Sequence, residues 1–373
     1  MRDQVDVETS SIKINYKDLI ESVNPGSKIS VDNGLINFKV LKKESETLLC
    51  KVLDGGKLGS KRHVNLPGVR INLPSITSKD MDDINFGIKN KVDFIALSFV
   101  RDKEDLKKLQ QILDKKKSYA KIIAKIENQD GLDNINDICK FSWGVMVARG
   151  DLGIETSLTD LPNIQRKIMH ACAKWGRRSI VATHLLESMI SNPTPTRAEV
   201  SDIANAIYEG ADAIMLSGET SIGKYPKECV QFLKSIAIKT EKFPTLGYEK
   251  NLISTTDWEH IGVAAKNLAE ATNADGIIAI TRTGNTATYV ANAKPNGIPI
   301  YTFTNNKDTY KKLSLVGSSY SYMIGSLKDH DKTLNKVIKI LKNKYDKKTK
   351  LKFILASGIF SEEHSEAIQI INI

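Results

Sequence analysis

From residue 92 onward, short segments dominated by Val, Ile, Ala and Phe alternate with longer stretches of helical period, and this alternation constrains the fold more than any other feature. VDFIALSFV (92–100), KIIAKIE (121–127), WGVMVAR (143–149), RSIVAT (178–183) and DAIMLS (212–217) have the length and β-branched content of strands. Near-continuous apolar strands need cover on both faces, which a parallel sheet receives from its crossover helices. The helices are expected at 103–116, 131–139, 162–176, 197–209 and 226–243, with another opening at Thr77-Ser78-Lys79-Asp80. Thr196-Arg197-Ala198-Glu199, behind the proline-rich NPTPT, reads as a capping box. Residues 71–245 supply five βα units, whereas a closed (β/α)8 barrel needs eight units and about 250 residues.

The first seventy residues have a different texture. IKINY, KISV, LINFKVL and ETLLCKVL are short alternating runs separated by turn signals at Asn24-Pro25-Gly26, Asp32-Asn33-Gly34 and Asp54-Gly55-Gly56, the pattern of antiparallel hairpins. This module closes with VNLPG (64–68). Beyond Phe243-Pro244 and the polar linker TLGYEKNLISTTD, a second α/β set follows. Its helices are expected at 259–272, 285–293, 307–314 and 331–344, and its strands at 275–282, 298–304, 351–357 and 367–373. The expected domains are a β-rich module over 1–70, a partial barrel over 71–245 and a three-layer α/β domain over 246–373.

The formal net charge of +10 raises nucleic acid as a partner, but the lysines sit on helical faces such as DKEDLKKLQQILDKKK, with no stacking aromatics among them. No nucleic acid partner is expected. The longest apolar runs fall far short of the roughly 18–20 residues that span a bilayer, and MRDQVDVETS lacks the pattern of a signal peptide, so no membrane contact and a cytoplasmic location are expected. Cys50, Cys139, Cys172 and Cys229 are widely spaced and read as reduced core thiols.

In parallel barrels, reactive groups gather at the C-terminal ends of strands. Here those ends carry Ser98, Lys125 with Glu127, Arg149-Gly150-Asp151, Thr183 with His184, and Ser217-Gly218-Glu219. Lys125 and Glu127 are two apart on one strand and project to one face, which suits either a buried salt bridge or a reactive pocket wall. Glu127 and Asp151, carboxylates from neighbouring strand ends, suit Mg2+ or Mn2+. The N–H groups of Gly150 and Asp151 suit a substrate carboxylate, and Thr183 offers a hydroxyl.

IIAKIENQDGL (122–132), VMVARGDLGIE (145–155), ATHLLESMISNPTPTRAEVSDIANAI (182–207) and ADAIMLSGET (211–220), in this order and spacing, resemble pyruvate kinase. VDNGLI, GSKRHVNLPG and ALSFVR extend the resemblance over nearly the whole chain. It implies a (β/α)8 barrel, present here as its strands 4–8, with an inserted small β-barrel lid and a C-terminal α/β regulatory domain. It also implies phosphoryl transfer from phosphoenolpyruvate to ADP, with Mg2+ or Mn2+ and K+ as cofactors and a homo-oligomer, a tetramer in the family.

Carried onto matching positions, the resemblance makes Lys125 the cation that neutralises the moving phosphoryl group and Glu127 and Asp151 the metal ligands. Gly150, Asp151 and Thr183 would hold the carboxylate, with the Thr183 hydroxyl on the proton path to the enolate. Arg62 stands where the family has a lid lysine facing nucleotide phosphates, and His184 reads as a bystander. Thr281, Thr283, Gly284, Asn285 and Thr286 match an effector phosphate loop, although on the residues alone they read equally as a helix cap.

Two departures qualify this. The family's Arg-x-Asn-x-Ser-His and Asp-Thr-Lys-Gly-Pro-Glu-Ile-Arg motifs are missing, so the K+ ligands have no counterpart, and the chain reads as truncated at its N-terminus, with doubtful activity alone. The family's glycine-rich loop near the end is replaced by Ser357-Gly358-Ile359-Phe360-Ser361-Glu362-Glu363-His364. The alternative readings are a metal-dependent pyruvate or oxaloacetate lyase and a non-catalytic regulatory chain.

Overall fold

The structure, a computed structural model, describes residues 11–16, 18–32, 34–69, 74–327, 329–345, 350–357 and 367–373. The chain divides into two compact units, one formed by Met1–Pro74 with Gly150–Leu161, the other by Ser75–Arg149 with Pro162–Ile373.

The first unit holds strands β1 (Lys28–Val31), β2 (Ile36–Lys43), β3 (Leu48–Asp54) and β4 (Val64–Asn65), in the order β3-β2-β1-β4. All pairings are antiparallel, as the hairpin pattern predicts, and β1 pairs β2 with Val31 opposite Ile36, the Leu35 N–H donating to the Asp32 carbonyl between them. The inward faces meet in a cluster of Val23, Ile29, Val31, Ile36, Val40 and Leu66. The segment IKINY is not a strand: no described strand pairs with it, Ile12 stays half exposed, and the chain turns instead into a short helix, Leu19–Ser22.

The second unit holds two five-stranded sheets. Strands β5 (Phe94–Leu97), β6 (Lys121–Ile126), β7 (Gly144–Ala148), β8 (Arg178–Ala182) and β9 (Ala213–Met215) are parallel and pair in sequence order. Among the described residues β5 and β9 each have one partner, so this sheet is open. One face carries Ile123, Met146, Ile180 and Ala182. The capping boxes at Thr77 and Thr196 form, opening helices Ser78–Lys89 and Arg197–Tyr208. The single helix expected over 131–139 is two, Gln129–Asp133 and Ile135–Phe141, because Asn134 closes the first: its N–H and its Nδ2 both donate to the Asp130 carbonyl.

The other sheet comprises β10 (Gly276–Ile280), β11 (Ile300–Thr304), β12 (Ser319–Met323), β13 (Lys352–Ser357) and β14 (Ala367–Asn372), in the order β12-β11-β10-β13-β14. Only β13 and β14 pair antiparallel. Strand β12, SYSYM, was not expected, since it lacks the apolar run of its neighbours. Aromatic stacking holds it in place, with Tyr322 5.2 Å from Phe303 between ring centroids and the Lys344 ammonium 4.1 Å from the centre of Tyr320.

Helices Asp257–Ala271 and Asn285–Asn292 approach so closely that a Cβ on Gly262 would stand 2.6 Å from the carbonyl carbon of Tyr289. Only glycine fits without moving backbone. Gly262→Ala is therefore expected to destabilise this unit by about 1–3 kcal/mol, read as a lower thermal midpoint; an unchanged midpoint would show that the helices can separate freely.

A buried charge cluster joins the two sheets. The Asp212 carboxylate, 1% exposed, lies 2.7 Å from Lys294 Nζ and 3.3 Å from Arg178 Nη1, and accepts from the N–H groups of Ser179 (2.9 Å) and Gly317 (3.3 Å). Burial opposes its ionisation, yet Arg178 and Lys294 outweigh that and hold its carboxyl below the usual range. Burial pulls the Lys294 ammonium down despite Asp212. Burial acts first on Lys294, and the neighbouring Arg178 adds to it, whereas Asp212 faces two cations at once.

Cys139, Cys172 and Cys229 are free and buried, as expected of core thiols, while Cys50 on β3 is half-buried. Among the described residues, no helix is long and apolar enough to cross a membrane.

Candidate active site

In the parallel sheet, Ser98 follows β5, Glu127 follows β6, Arg149 follows β7 and Thr183 follows β8, so all four stand at one edge. Lys125, pairing with Met146 across β6 and β7, shares the face that carries Ile123, Met146 and Ile180. An ammonium at the end of that apolar face needs partners, and it has two: Glu127 Oε1 at 2.7 Å and Ser98 Oγ at 3.0 Å.

Glu127 is 1% exposed, and its other oxygen accepts from the N–H of Phe99 at 2.6 Å. Phe99 adopts a positive φ of 51°, a conformation uncommon outside glycine, and its N–H meets the Glu127 carboxylate there. The expected Lys125/Glu127 pair is thus formed, with a buried carboxylate fixed from two sides and a cation that retains a quarter of its exposure. Ser98 was expected as a polar strand-end residue, but its bond to Lys125 was not foreseen, nor was the Phe99 N–H, since a backbone donor leaves no trace in residue identity.

Thr183 lies at the end of β8 in a left-handed backbone conformation, φ 77°, and the exposed His184 continues it at φ 55°. The loop that follows is tied down by carboxylates: Glu219, fully buried, accepts from the N–H groups of Leu186 and Ser217, and Glu199 accepts from the N–H and hydroxyl of Ser188.

Gly150 and Asp151 occupy the first turn of the helix Arg149–Glu155, directly after β7. They belong to the first unit. Within it, Asp151 Oδ1 lies 3.4 Å from His63 Nδ1, and Asn65 donates to Glu155 at 3.0 Å. His63 was not anticipated; it sits beside Arg62 in the turn before VNLPG. Arg62 Nη1 lies 3.3 Å from Asp32 Oδ1 and is half exposed.

Glu127 in the second unit and Asp151 in the first are each carboxylates, a donor type that suits a hard divalent cation. Among the described residues no three His, Cys, Asp or Glu side chains gather as a metal cluster.

The loop Thr281–Gly284 leads from β10 into helix Asn285–Asn292. Gly284 takes φ 94°, the conformation that calls for glycine here, and its N–H donates to Thr281 Oγ1 at 2.9 Å, while the Asn285 N–H reaches Thr283 Oγ1 at 3.5 Å. The loop thus bonds to itself at the start of the helix, with Thr286 in the first turn. Residues 358–364, with Glu362 and Glu363, lie outside the described residues.

A family model described as pyruvate kinase, barrel domain, matches residues 2–230, and one described as pyruvate kinase, alpha/beta domain, matches residues 259–371. The chain is 40% identical over 341 residues to a pyruvate kinase of Staphylococcus epidermidis and 41% over 342 residues to one of Staphylococcus haemolyticus. Each match covers 90% of this chain and 58% of the relative. A crystal structure of a pyruvate kinase from Cryptosporidium parvum superposes with a TM-score of 0.89 at 31% identity, covering 95% of this chain and 74% of that one. The chain therefore spans somewhat over half the length of the curated relatives it matches.

Proposed function

Because the chain belongs to the pyruvate kinase family, we propose that it carries the phosphoryl-transfer site of an enzyme that moves the phosphoryl group of phosphoenolpyruvate to ADP, giving pyruvate and ATP. The observation that carries this reading is the Lys125 ammonium, held 2.7 Å from a buried carboxylate at the edge of a parallel sheet. Phosphoryl transfer asks a protein mainly for positioning and charge neutralisation, and a partly exposed cation on a fixed carboxylate supplies both.

In this reading Lys125 faces the moving phosphoryl group. Glu127 and Asp151 would hold Mg2+ or Mn2+, which when bound would supply positive charge to offset that of the substrate. The N–H groups of Gly150 and Asp151, with Thr183, hold the substrate carboxylate, and the Thr183 hydroxyl delivers the proton to the enolate carbon. Arg62 contributes a cation to the nucleotide phosphates. Thr281, Thr283, Gly284, Asn285 and Thr286 form an effector loop. K+ belongs to the family's chemistry, but no residue of this chain is assigned to it. A cytoplasmic homo-oligomer is the setting that goes with this reading. The lyase and regulatory alternatives gain no observation of their own.

The test is 31P NMR of phosphoenolpyruvate and ADP with Mg2+ and K+, run on the chain joined to the N-terminal barrel strands of a staphylococcal relative. ATP formation that Asp151→Asn abolishes supports the reading. No ATP from the joined protein, or equal ATP from the variant, contradicts it.

A further inference from the structure

Arg149 stands at the end of β7 and has no part in the chemistry proposed above. We infer that Arg149 is a positioning residue, whose guanidinium clamps the Thr183 backbone in its left-handed conformation and thereby aims the Thr183 hydroxyl. The role given to that hydroxyl rests on the proposed function; the clamp itself does not.

A β-branched residue with positive φ is a genuine outlier, and such a conformation persists only where its surroundings over-determine it. At Thr183, with φ 77°, the surroundings are specific. Arg149 Nη2 donates to the Thr183 carbonyl at 2.6 Å, and its Nε reaches the carbonyls of Ala182 and Thr183, each at 3.2 Å. The third nitrogen, Nη1, donates to both oxygens of Asp202, at 2.7 and 2.8 Å, on helix Arg197–Tyr208. One planar fork is thus held by a carboxylate on one side and grips two successive carbonyls with the other.

The Arg149 side chain is only 10% exposed, which leaves little room for water to take over the bonds. Lysine could not replace it, because a single ammonium cannot meet the carboxylate and both carbonyls with the same geometry. A return of Thr183 to negative φ would swing its carbonyl away from Nη2 and rotate the side chain with it.

The experiment follows amide hydrogen exchange of the segment 182–190 by mass spectrometry in the full chain. Arg149→Lys and Arg149→Ala are expected to speed exchange there by about tenfold or more while segments in β6 and β10 keep wild-type rates. Added guanidinium ion at millimolar levels should restore protection in Arg149→Ala but not in Arg149→Lys. Should either variant fail to fold, Asp202→Asn, which keeps the arginine but loosens its fork, is expected to show a smaller rise in the same segment. Unchanged exchange in every variant, or a rise spread evenly over the barrel sheet, would overturn the clamp.

A second arm follows the Mn2+-dependent exchange of pyruvate methyl protons into D2O by 1H NMR. The clamp predicts that Arg149→Lys lowers the exchange rate at saturating pyruvate as Thr183→Ala does, with the pyruvate concentration at half-maximal rate little moved. Wild-type exchange that Thr183→Ala leaves intact would sink the proposed role of Thr183, while the amide measurement would still decide the clamp.

Discussion

Lys125→Met is expected to lower transfer from phosphoenolpyruvate to ADP by about 10²–10³-fold in the joined protein, with the affinity for Mn2+ changed little. The side chain's length and apolar stem are kept, so the loss isolates the ammonium that lies between Glu127 and Ser98. The same substitution strips Glu127, 1% exposed, of its cation. A lower thermal midpoint that Mg2+ partly restores should therefore accompany the kinetic loss, because a bound cation would again compensate the buried carboxylate. Near-normal turnover in Lys125→Met would remove this residue from the chemistry, whatever the stability result.

Asp212→Asn should produce the largest loss of stability among single substitutions in the second unit, about 3–5 kcal/mol, since it leaves Arg178 and Lys294 charged, buried and without their carboxylate. Lys294→Met should cost far less, because it removes the surplus cation and leaves one Arg178–Asp212 pair. The measurement is chemical denaturation of both variants. Equal losses would show that the cluster does not behave as two cations on one anion.

The sign of the pH dependence follows from the same contacts. The folded Asp212 carboxyl titrates below its unfolded value, so its contribution is complete above about pH 4 and is lost as the pH falls through the folded value. The acid limb of a stability profile should therefore be shallower in Asp212→Asn than in the wild type.

The parallel sheet, its helices and the Lys125/Glu127 pair could be read from the residues because each rests on a local rule: apolar runs between capped helices, and two side chains on one strand face. What escaped depends on partners distant in sequence. IKINY alternates like a strand but pairs with none among the described residues, and SYSYM, without an apolar run, pairs in parallel with β11 while Phe303 and Lys344 lie against its tyrosines. Asp212 opens its strand like any surface carboxylate, and only the fold buries it against Lys294, 82 positions on. Arg149 appeared as part of a strand-end triplet. Its fork bridges β7, the end of β8 and the helix carrying Asp202, a geometry no spacing rule contains.

In the proposed function, Glu127 and Asp151 are the carboxylates that bind the divalent metal. Calorimetric titration of Mn2+ in the presence of phosphoenolpyruvate tests it directly, on the wild-type chain and on Glu127→Gln and Asp151→Asn. The expected result is binding to the wild type that weakens by about tenfold or more in each variant, because each loses one charged oxygen ligand. Binding as tight in both variants as in the wild type would contradict the site.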